Sequence, residues 1–161
     1  RSRPFNVASA RRLFEWLESI GWQEDVFRAS QYMTAITKCY PGKDPNGHGD
    51  RVPTRTEQKL CAPYLERELG LVQPEILVPV GSLAVRKFLG SVKLADVVGR
   101  VFHEDARWIV PLAHPSGASL WLNRDKNRQR VERALDQIER LCNELGIERA
   151  QDTQVKDYKQ P

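Results

Sequence analysis

The stretch PEILVPVGSLAVRKFLG, residues 74–90, decides the fold that the sequence predicts. Its first part, PEILVPVG, is short and nearly all apolar, which is typical of a parallel strand that is buried on both faces. Gly81 and Ser82 then turn the chain directly into an apolar helix, LAVRKFLG, which ends at Gly90. A buried strand that passes at once into a helix is the repeating unit of an α/β protein.

The same alternation continues on both sides of this stretch. RWIVPLA (107–113) predicts a second buried strand, and DVVGRVFHE (96–104) predicts a weaker one. The segment SQYMTAITKCY (30–40) is rich in β-formers and stops at Pro41-Gly42, so we expect a further strand there. We therefore expect a three-layer α/β/α sandwich with a short, mostly parallel central sheet. The strand ends at Tyr40, Gly81 and His114 should then lie on one rim.

Three more helices follow from apolar spacing and capping patterns. SARRLFEWLESIGW (9–22) predicts a helix with Ser9 as its N-cap and Gly21 at its end. Thr54 and Glu57 form a capping-box pattern that opens a helix through about Leu69. KNRQRVERALDQIERLCNELG (126–146) carries one apolar stripe at helical period. We expect one domain over residues 1–148 and a polar, loose tail over 149–161.

Composition limits the class of protein. The chain has 161 residues, a formal net charge of +4, an isoelectric point near 9.1 and three cysteines. No apolar run approaches the roughly 20 residues that a membrane helix needs, and the start lacks the apolar core of a signal peptide. An odd cysteine count without disulfide spacing favours a reducing, intracellular setting. The positive charge favours a polyanionic partner such as nucleic acid.

His114 is the first candidate functional residue. It ends the second buried strand and opens the turn His-Pro-Ser-Gly, residues 114–117. In open α/β sheets, ligands bind at the carboxyl ends of strands. Such a turn can hold an imidazole against a developing negative charge while backbone amides and the Ser116 hydroxyl bind a phosphate. The alternative is a histidine that only terminates a strand.

Three other features have both a functional and a structural interpretation. Gly81-Ser82, between a strand and a helix N-terminus, is either an anion site or an ordinary turn. Phe5 is either a stacking surface for a base or a hydrophobic staple beside the first helix. Cys39 and Cys61 are too few for a zinc or iron–sulfur site on their own, so within this chain the favoured interpretation is two small semi-buried residues.

The order of these segments resembles the uracil-DNA glycosylase superfamily, and most nearly its iron–sulfur (family 4-like) bacterial and archaeal branch. The resemblance is carried by RPFNVASARRLFEWL (3–17), YMTAITKCYPGK (32–43), GDRVP (49–53), EQKLCAPYLERELGLVQPEILVPVGSLAVRKFLG (57–90) and VPLAHPSGASLWLN (110–123). It implies an enzyme that flips uracil, or a related deaminated base, out of DNA and hydrolyses its N-glycosidic bond. It also implies a cytoplasmic, nucleoid-associated protein of a bacterium or archaeon that acts as a monomer.

The resemblance also implies roles for individual residues. His114 would stabilise negative charge on the leaving base, and Phe5 would stack on that base, with Thr34 and Ala35 beside its polar edge. The residues implied to contact the DNA backbone or to wedge into the base stack are Gly81, Ser82, Pro115, Ser116, Gly117, Ser119 and Leu120. Cys39 and Cys61 match two of the four ligands of a [4Fe–4S] cluster. We expect that cluster in the full-length protein only, and none in these 161 residues alone.

Three differences from the family pattern leave more than one function open. The Gly-x-Ala-Pro-Gly segment, whose neighbour helps to position the attacking water, is absent, and we expect it to precede Arg1. Ala35 stands where the family often has an asparagine that reads the uracil edge. Two of the family's cysteines are also absent. The sequence is therefore compatible with a glycosylase, with a non-catalytic DNA-binding module of the same fold, or with an α/β domain whose His114 turn is structural.

Overall fold

The computed structural model describes residues 8–46, 49–116 and 120–149, and within them the chain alternates helices with short strands. The helices are α1 Ala8–Glu18, α2 Glu24–Ser30, α3 Arg55–Val72, α4 Gly81–Leu89, α5 Leu94–Val97 and α6 Asp125–Glu144. The strands are β1 Ile76–Leu77, β2 Phe102–Glu104 and β3 Arg107–Ile109, and a 3₁₀ helix covers Leu120–Asn123. The predicted α/β class is confirmed.

The sheet is mixed rather than mostly parallel. Its order is β1-β3-β2, with β1 parallel and β2 antiparallel to β3. The antiparallel pair arises because Asp105 and Ala106, both at positive φ (49° and 61°), close a two-residue turn between β2 and β3. The predicted strand 96–104 is half wrong, since its first residues belong to α5 and only Phe102–Glu104 is a strand.

The pairing of β1 with β3 continues beyond the ends of both strands. The amides of Trp108, Val110 and Leu112 donate to the carbonyls of Glu75, Leu77 and Pro79, at 2.7, 2.9 and 3.0 Å. The amide of Gly81 then donates back to the carbonyl of Leu112, at 2.9 Å. This parallel ladder carries the two segments side by side as far as Gly81 and His114. It therefore positions the candidate site.

The main core lies between the sheet and two helices. Leu13, Phe14 and Leu17 of α1 pack with Val110 and Leu112 of the ladder. The predicted stripe of α6 supplies the opposite wall, and its buried members are Val131, Ala134, Leu135, Ile138, Leu141 and Cys142. Cys61 and Leu65 of α3 and Val85 of α4 are buried outside this cluster. No helix of the described residues is both long and apolar enough to cross a bilayer.

Helix boundaries mostly follow the predicted caps. The Thr54–Glu57 capping box is formed, with the amide of Glu57 donating to Thr54 Oγ1 at 3.2 Å and the amide of Thr54 donating to Glu57 Oε2 at 2.6 Å. Gly90 caps α4 as predicted. The prediction of Ser9 as N-cap is wrong, because α1 already begins at Ala8. Helix α2 was not predicted at all.

The predicted strand over 30–40 is wrong. Residues 31–40 are neither helix nor strand, and they lie against α3. The Thr34 hydroxyl donates to Glu68 Oε2 at 2.7 Å, and the amide of Lys38 donates to the thiol sulfur of Cys61 at 3.3 Å. Tyr40 therefore does not share the sheet rim with Gly81 and His114. A content of β-formers measures how well side chains suit a sheet, and it does not supply a partner strand.

The predicted boundary between domain and tail, at residue 148, stays a prediction. The last described residue, Arg149, donates to the carbonyl of Ile20 at 2.7 Å and forms an ion pair with Glu139 at 3.2 Å. The ordered contacts of the domain therefore reach one residue past that boundary.

Candidate active site

His114 is presented at the carboxyl edge of the ladder. Its neighbours Ala113 and Pro115 are fully buried, whereas His114 itself is exposed. Two buried anchors on either side of an exposed residue fix its backbone, so the imidazole has a defined position at the surface. A purely structural histidine at this point would favour a ring turned into the aliphatic core. The His114 ring is instead exposed.

One hydrogen bond sets the tautomer of the His114 ring. The amide of Ser116 donates to Nδ1 at 3.2 Å. A nitrogen that accepts a hydrogen bond carries no proton, so the neutral imidazole must carry its proton on Nε2. The side chain therefore offers an N–H donor at Nε2.

Partial burial favours the neutral form of this ring. Loss of solvent lowers the pKa of His114 below its ordinary value of 6.5, because water stabilises the charged imidazolium better than the protein does. At neutral pH the ring is therefore an uncharged donor. Such a group stabilises negative charge on a carbonyl oxygen without transferring a full proton.

Gly81 lies directly against the His114 ring. Gly81 is buried, its φ is +84°, and a Cβ on it would be 3.2 Å from both Cβ and Cδ2 of His114. Its amide is engaged with the Leu112 carbonyl, so it is not free to bind a phosphate as the sequence led us to expect. Ser82, half-buried in the first turn of α4, keeps its predicted role as a prediction.

Leu120 opens the 3₁₀ helix that follows the His114 turn, and 78% of its surface is exposed. This helix is tied to α6 by Asn127, whose Nδ2 donates to the Trp121 carbonyl at 2.8 Å, and by Arg128, which donates to the Leu122 carbonyl at 3.0 Å. Trp121 packs against the core, so Leu120 is the apolar side chain that faces solvent here.

The positioning role of Asn127 escaped the sequence analysis. Asn127 is the one buried polar residue among those described. It lies four residues before Val131, in line with the apolar stripe of α6. A polar residue in an apolar stripe is the signal that could have identified it, because a buried amide needs hydrogen-bond partners.

Thr34 and Ala35 are exposed and are engaged with α3 rather than with His114. Lys38 Nζ donates to Thr34 Oγ1 at 2.6 Å and to the Ala35 carbonyl at 3.0 Å, and it pairs with Glu68 at 2.5 Å. Their predicted base-binding role stays a prediction.

Phe5, Gly117 and Ser119 lie outside the described residues. Two cavities of about 360 and 240 Å³ lie elsewhere, at the end of α6 and between α3 and Lys87.

Comparison with known families identifies the group to which this fold belongs. The model of the Uracil DNA glycosylase superfamily matches residues 1–139, which is most of the chain. The chain belongs to the uracil DNA glycosylase superfamily. The resemblance in the sequence is thereby confirmed.

Individual relatives are similar over much of the chain. The type-4 uracil-DNA glycosylase of Archaeoglobus fulgidus is 31% identical over 88% of this chain and 69% of its own length. The type-4 enzyme of Thermotoga maritima is 28% identical over 86% of this chain and 66% of its own length. The type-4 enzyme of Sulfurisphaera tokodaii is 33% identical over 72% of this chain and 53% of its own length. The chain thus spans about half to two thirds of these relatives.

The cysteines do not by themselves fit the iron–sulfur cluster that the resemblance implies. Cys39 is exposed, Cys61 is buried, and the amide next to Cys39 donates to the Cys61 sulfur, so these two lie in adjoining segments. Cys142 is buried on α6 in the core. A [4Fe–4S] cluster takes four thiolates. The described residues contain no group of three or more His, Cys, Asp or Glu side chains arranged to hold a metal.

Proposed function

We propose that this chain is the catalytic part of a DNA-repair glycosylase that excises uracil, or a related deaminated base, from DNA. The observation that carries the proposal is the His114 ring, exposed at the carboxyl edge of the ladder with Nδ1 occupied by the Ser116 amide. Superfamily membership supplies the reaction class, and the names of the relatives, uracil-DNA glycosylases, supply the substrate.

His114 acts on the leaving base. Breaking the N-glycosidic bond sends both bonding electrons to the base, which departs as an anion, and leaves an oxocarbenium-like sugar. Nε2–H of the neutral imidazole donates to a carbonyl oxygen of the base, where this charge accumulates. Water then adds to the sugar carbon and loses a proton. The group that positions this water is not among the residues identified in this chain.

The remaining site residues hold DNA. Leu120 is an exposed apolar side chain in the segment that follows the His114 turn, and a wedge into the gap left by a flipped base requires such a side chain. Pro115, Ser116, Gly117 and Ser119 contact the DNA backbone in this proposal, with Phe5 stacked on the base. The net charge of +4 favours binding to phosphates.

The protein works as a cytoplasmic monomer. In the full-length protein, Cys39 and Cys61 join two further cysteines around a [4Fe–4S] cluster.

A second candidate function is binding to DNA without excision. It is favoured by Ala35, whose exposed methyl group cannot make the paired hydrogen bonds that separate uracil from cytosine. Under this alternative the chain recognises damaged DNA and leaves the glycosidic bond intact.

The decisive experiment is a uracil-release assay on a labelled oligonucleotide with the full-length protein. We expect His114→Ala to lower the single-turnover rate by about 100- to 1000-fold, the usual cost of one lost oxyanion donor. His103→Ala is the matched control, because His103 is exposed on β2 and packs on the Trp108 ring instead. Equal rates for the His114→Ala variant and the wild type would reject the role of His114.

The same assay separates the two candidates. A wild-type protein that binds the oligonucleotide in a salt-dependent way but releases no base is the binding module. Release that depends on His114 and not on His103 is the glycosylase.

A further inference from the structure

Gly81 lies so close to the His114 ring that a side chain at position 81 would press against the imidazole. A Cβ built on Gly81 meets Cβ and Cδ2 of His114 at 3.2 Å and Cγ at 3.6 Å. Few real Cβ atoms approach a neighbour this closely, and here the neighbour is a ring fixed at its base by buried Ala113 and Pro115. A side chain at position 81 would therefore require the imidazole to move by a few tenths of an ångström.

Two contacts together fix the plane of the ring. The Cδ2 edge lies against Gly81, and the opposite edge, at Nδ1, accepts the Ser116 amide. Rotation of the ring by half a turn would place Cδ2–H against the Ser116 amide and lose that hydrogen bond. Among the described residues, these contacts leave the vertices Cε1 and Nε2 unengaged. The donor is thus aimed in one direction by its neighbours, not by its own torsional preference.

We propose that Gly81 is a positioning residue for the reaction, which acts by holding the His114 imidazole in the orientation that presents Nε2–H to the leaving base. This inference rests on the proposed function and gives Gly81 a role other than phosphate binding. Its amide is already used by the Leu112 carbonyl, and the strand ladder thereby holds Gly81 against the ring. A misplacement of about 1 Å can cost about 100-fold in rate, so we expect a shift of a few tenths of an ångström to have a smaller but measurable effect.

The variant Gly81→Ala needs a control for backbone strain, and the chain provides one. Gly81 and Gly90 stand at the two ends of α4 with φ of +84° and +75°. A Cβ on Gly90 meets nothing within 4 Å. Gly90→Ala therefore introduces the strain of a side chain at positive φ, about 2–8 °C of melting temperature, without touching His114.

The first measurement is made on the wild-type protein and does not depend on the Gly81→Ala variant. We expect a nuclear Overhauser effect between the Gly81 α-protons and the Hδ2 proton of His114. We also expect the ¹⁵N shifts of the His114 ring to show the proton on Nε2. The three histidines of the sequence are assigned with the His114→Ala and His103→Ala variants. Absence of the Overhauser effect overturns the proposal, even if Gly81→Ala does not fold.

The second measurement compares the two glycine variants. We expect Gly81→Ala to shift the His114 ring resonances and to lower kcat about tenfold with little change in KM, whereas Gly90→Ala leaves both unchanged. Equal kcat losses in both variants, or unchanged ring resonances in Gly81→Ala, overturn the proposal. If His114→Ala retains full activity, the proposed function fails, but the ring resonances still decide whether Gly81 positions the imidazole.

Discussion

Segments 31–40 and 107–116 have similar apolar and β-forming character, yet they take different places in the molecule. In 107–116, the amides of Trp108, Val110 and Leu112 bond to the carbonyls of the neighbouring segment, and the ladder delivers His114 to the sheet edge. In 31–40, Lys38 donates its amide to the Cys61 thiol, and side chains tie the segment to α3. A segment becomes a strand only when a neighbouring segment accepts its backbone hydrogen bonds. Segment 107–116 has such a neighbour and carries the site.

Truncation of an apolar side chain should therefore cost far more in the ladder segment. Leu112 is fully buried, so Leu112→Ala should lower the free energy of unfolding by about 2–5 kcal/mol. Ile36 is only half-buried, and Ile36→Ala should cost about 1 kcal/mol. Urea unfolding of both variants measures the two values. Equal losses would mean that segment 31–40 is as integral to the core as the ladder.

Acid should release the contacts around segment 31–40 before those of the ladder. The Arg51 guanidinium, with the Thr54 amide, lowers the pKa of Glu57 from 4.5 to about 2. Burial raises the pKa of Glu68, but hydrogen bonds from Lys38 and Thr34 outweigh it, and the net direction is downward. A carboxylate whose pKa is lowered by folding stabilises the folded state at pH values above its ordinary pKa. For Glu57 that contribution disappears as the pH falls from about 4.5 to 2.

Hydrogen exchange, corrected for intrinsic rates, measures this order. On acidification below pH 4.5, the amides of Lys38 and Arg51, whose side chains pair with Glu68 and Glu57, should lose protection before those of Val110 and Leu112, which are fully buried in the ladder. Glu57→Gln provides the control, since Arg51 should then be poorly protected already at neutral pH. Simultaneous loss at all four amides would contradict the distinction between the segments.

The sequence predicts those parts of the fold that depend on short-range patterns. The stripe of α6 follows from helical period, and the Thr54–Glu57 box follows from two residues three apart. The antiparallel pair was missed because its turn is Asp105-Ala106, without the Asn-Gly or Asp-Gly pattern that marks such hairpins. Segment 30–40 was misassigned because composition does not show which backbone lies beside it.

The candidate site was predictable in its main residue and not in its geometry. His114 could be chosen because a buried strand ends there in a rigid turn. The occupied amide of Gly81 and its contact with the ring depend on the register of β1 against β3, which the residues alone do not fix. The tautomer depends on the conformation of the Pro115–Ser116 turn.

Mild acid should charge the His114 ring before it affects the contacts of Glu57. Burial lowers the pKa of His114 below 6.5, so protonation is less favourable in the folded than in the unfolded protein. The resulting loss of stability begins as the pH falls below 6.5, well above the range in which Glu57 titrates. Base excision should fall with the pH through the His114 pKa, since a leaving base needs the ring in its neutral, preorganised form. An NMR titration of the ring beside a rate profile checks this, and an unchanged rate through the titration would contradict it.

The smallest effect on stability is expected at Leu120. Its truncation should instead separate two substrates, duplex and single-stranded DNA. Leu120 and Leu71 are 78% and 77% exposed, so Leu120→Ala and Leu71→Ala should each change the free energy of unfolding by less than about 0.5 kcal/mol. Leu120 follows the His114 turn, whereas Leu71 lies near the end of α3. If Leu120 fills the gap left by a flipped base, its truncation should slow uracil release from duplex DNA about tenfold and leave single-stranded DNA unaffected, because only a duplex has a stacked pair to replace. Leu71→Ala should slow neither. A parallel decrease on both substrates would place Leu120 in general DNA binding instead of in the base stack.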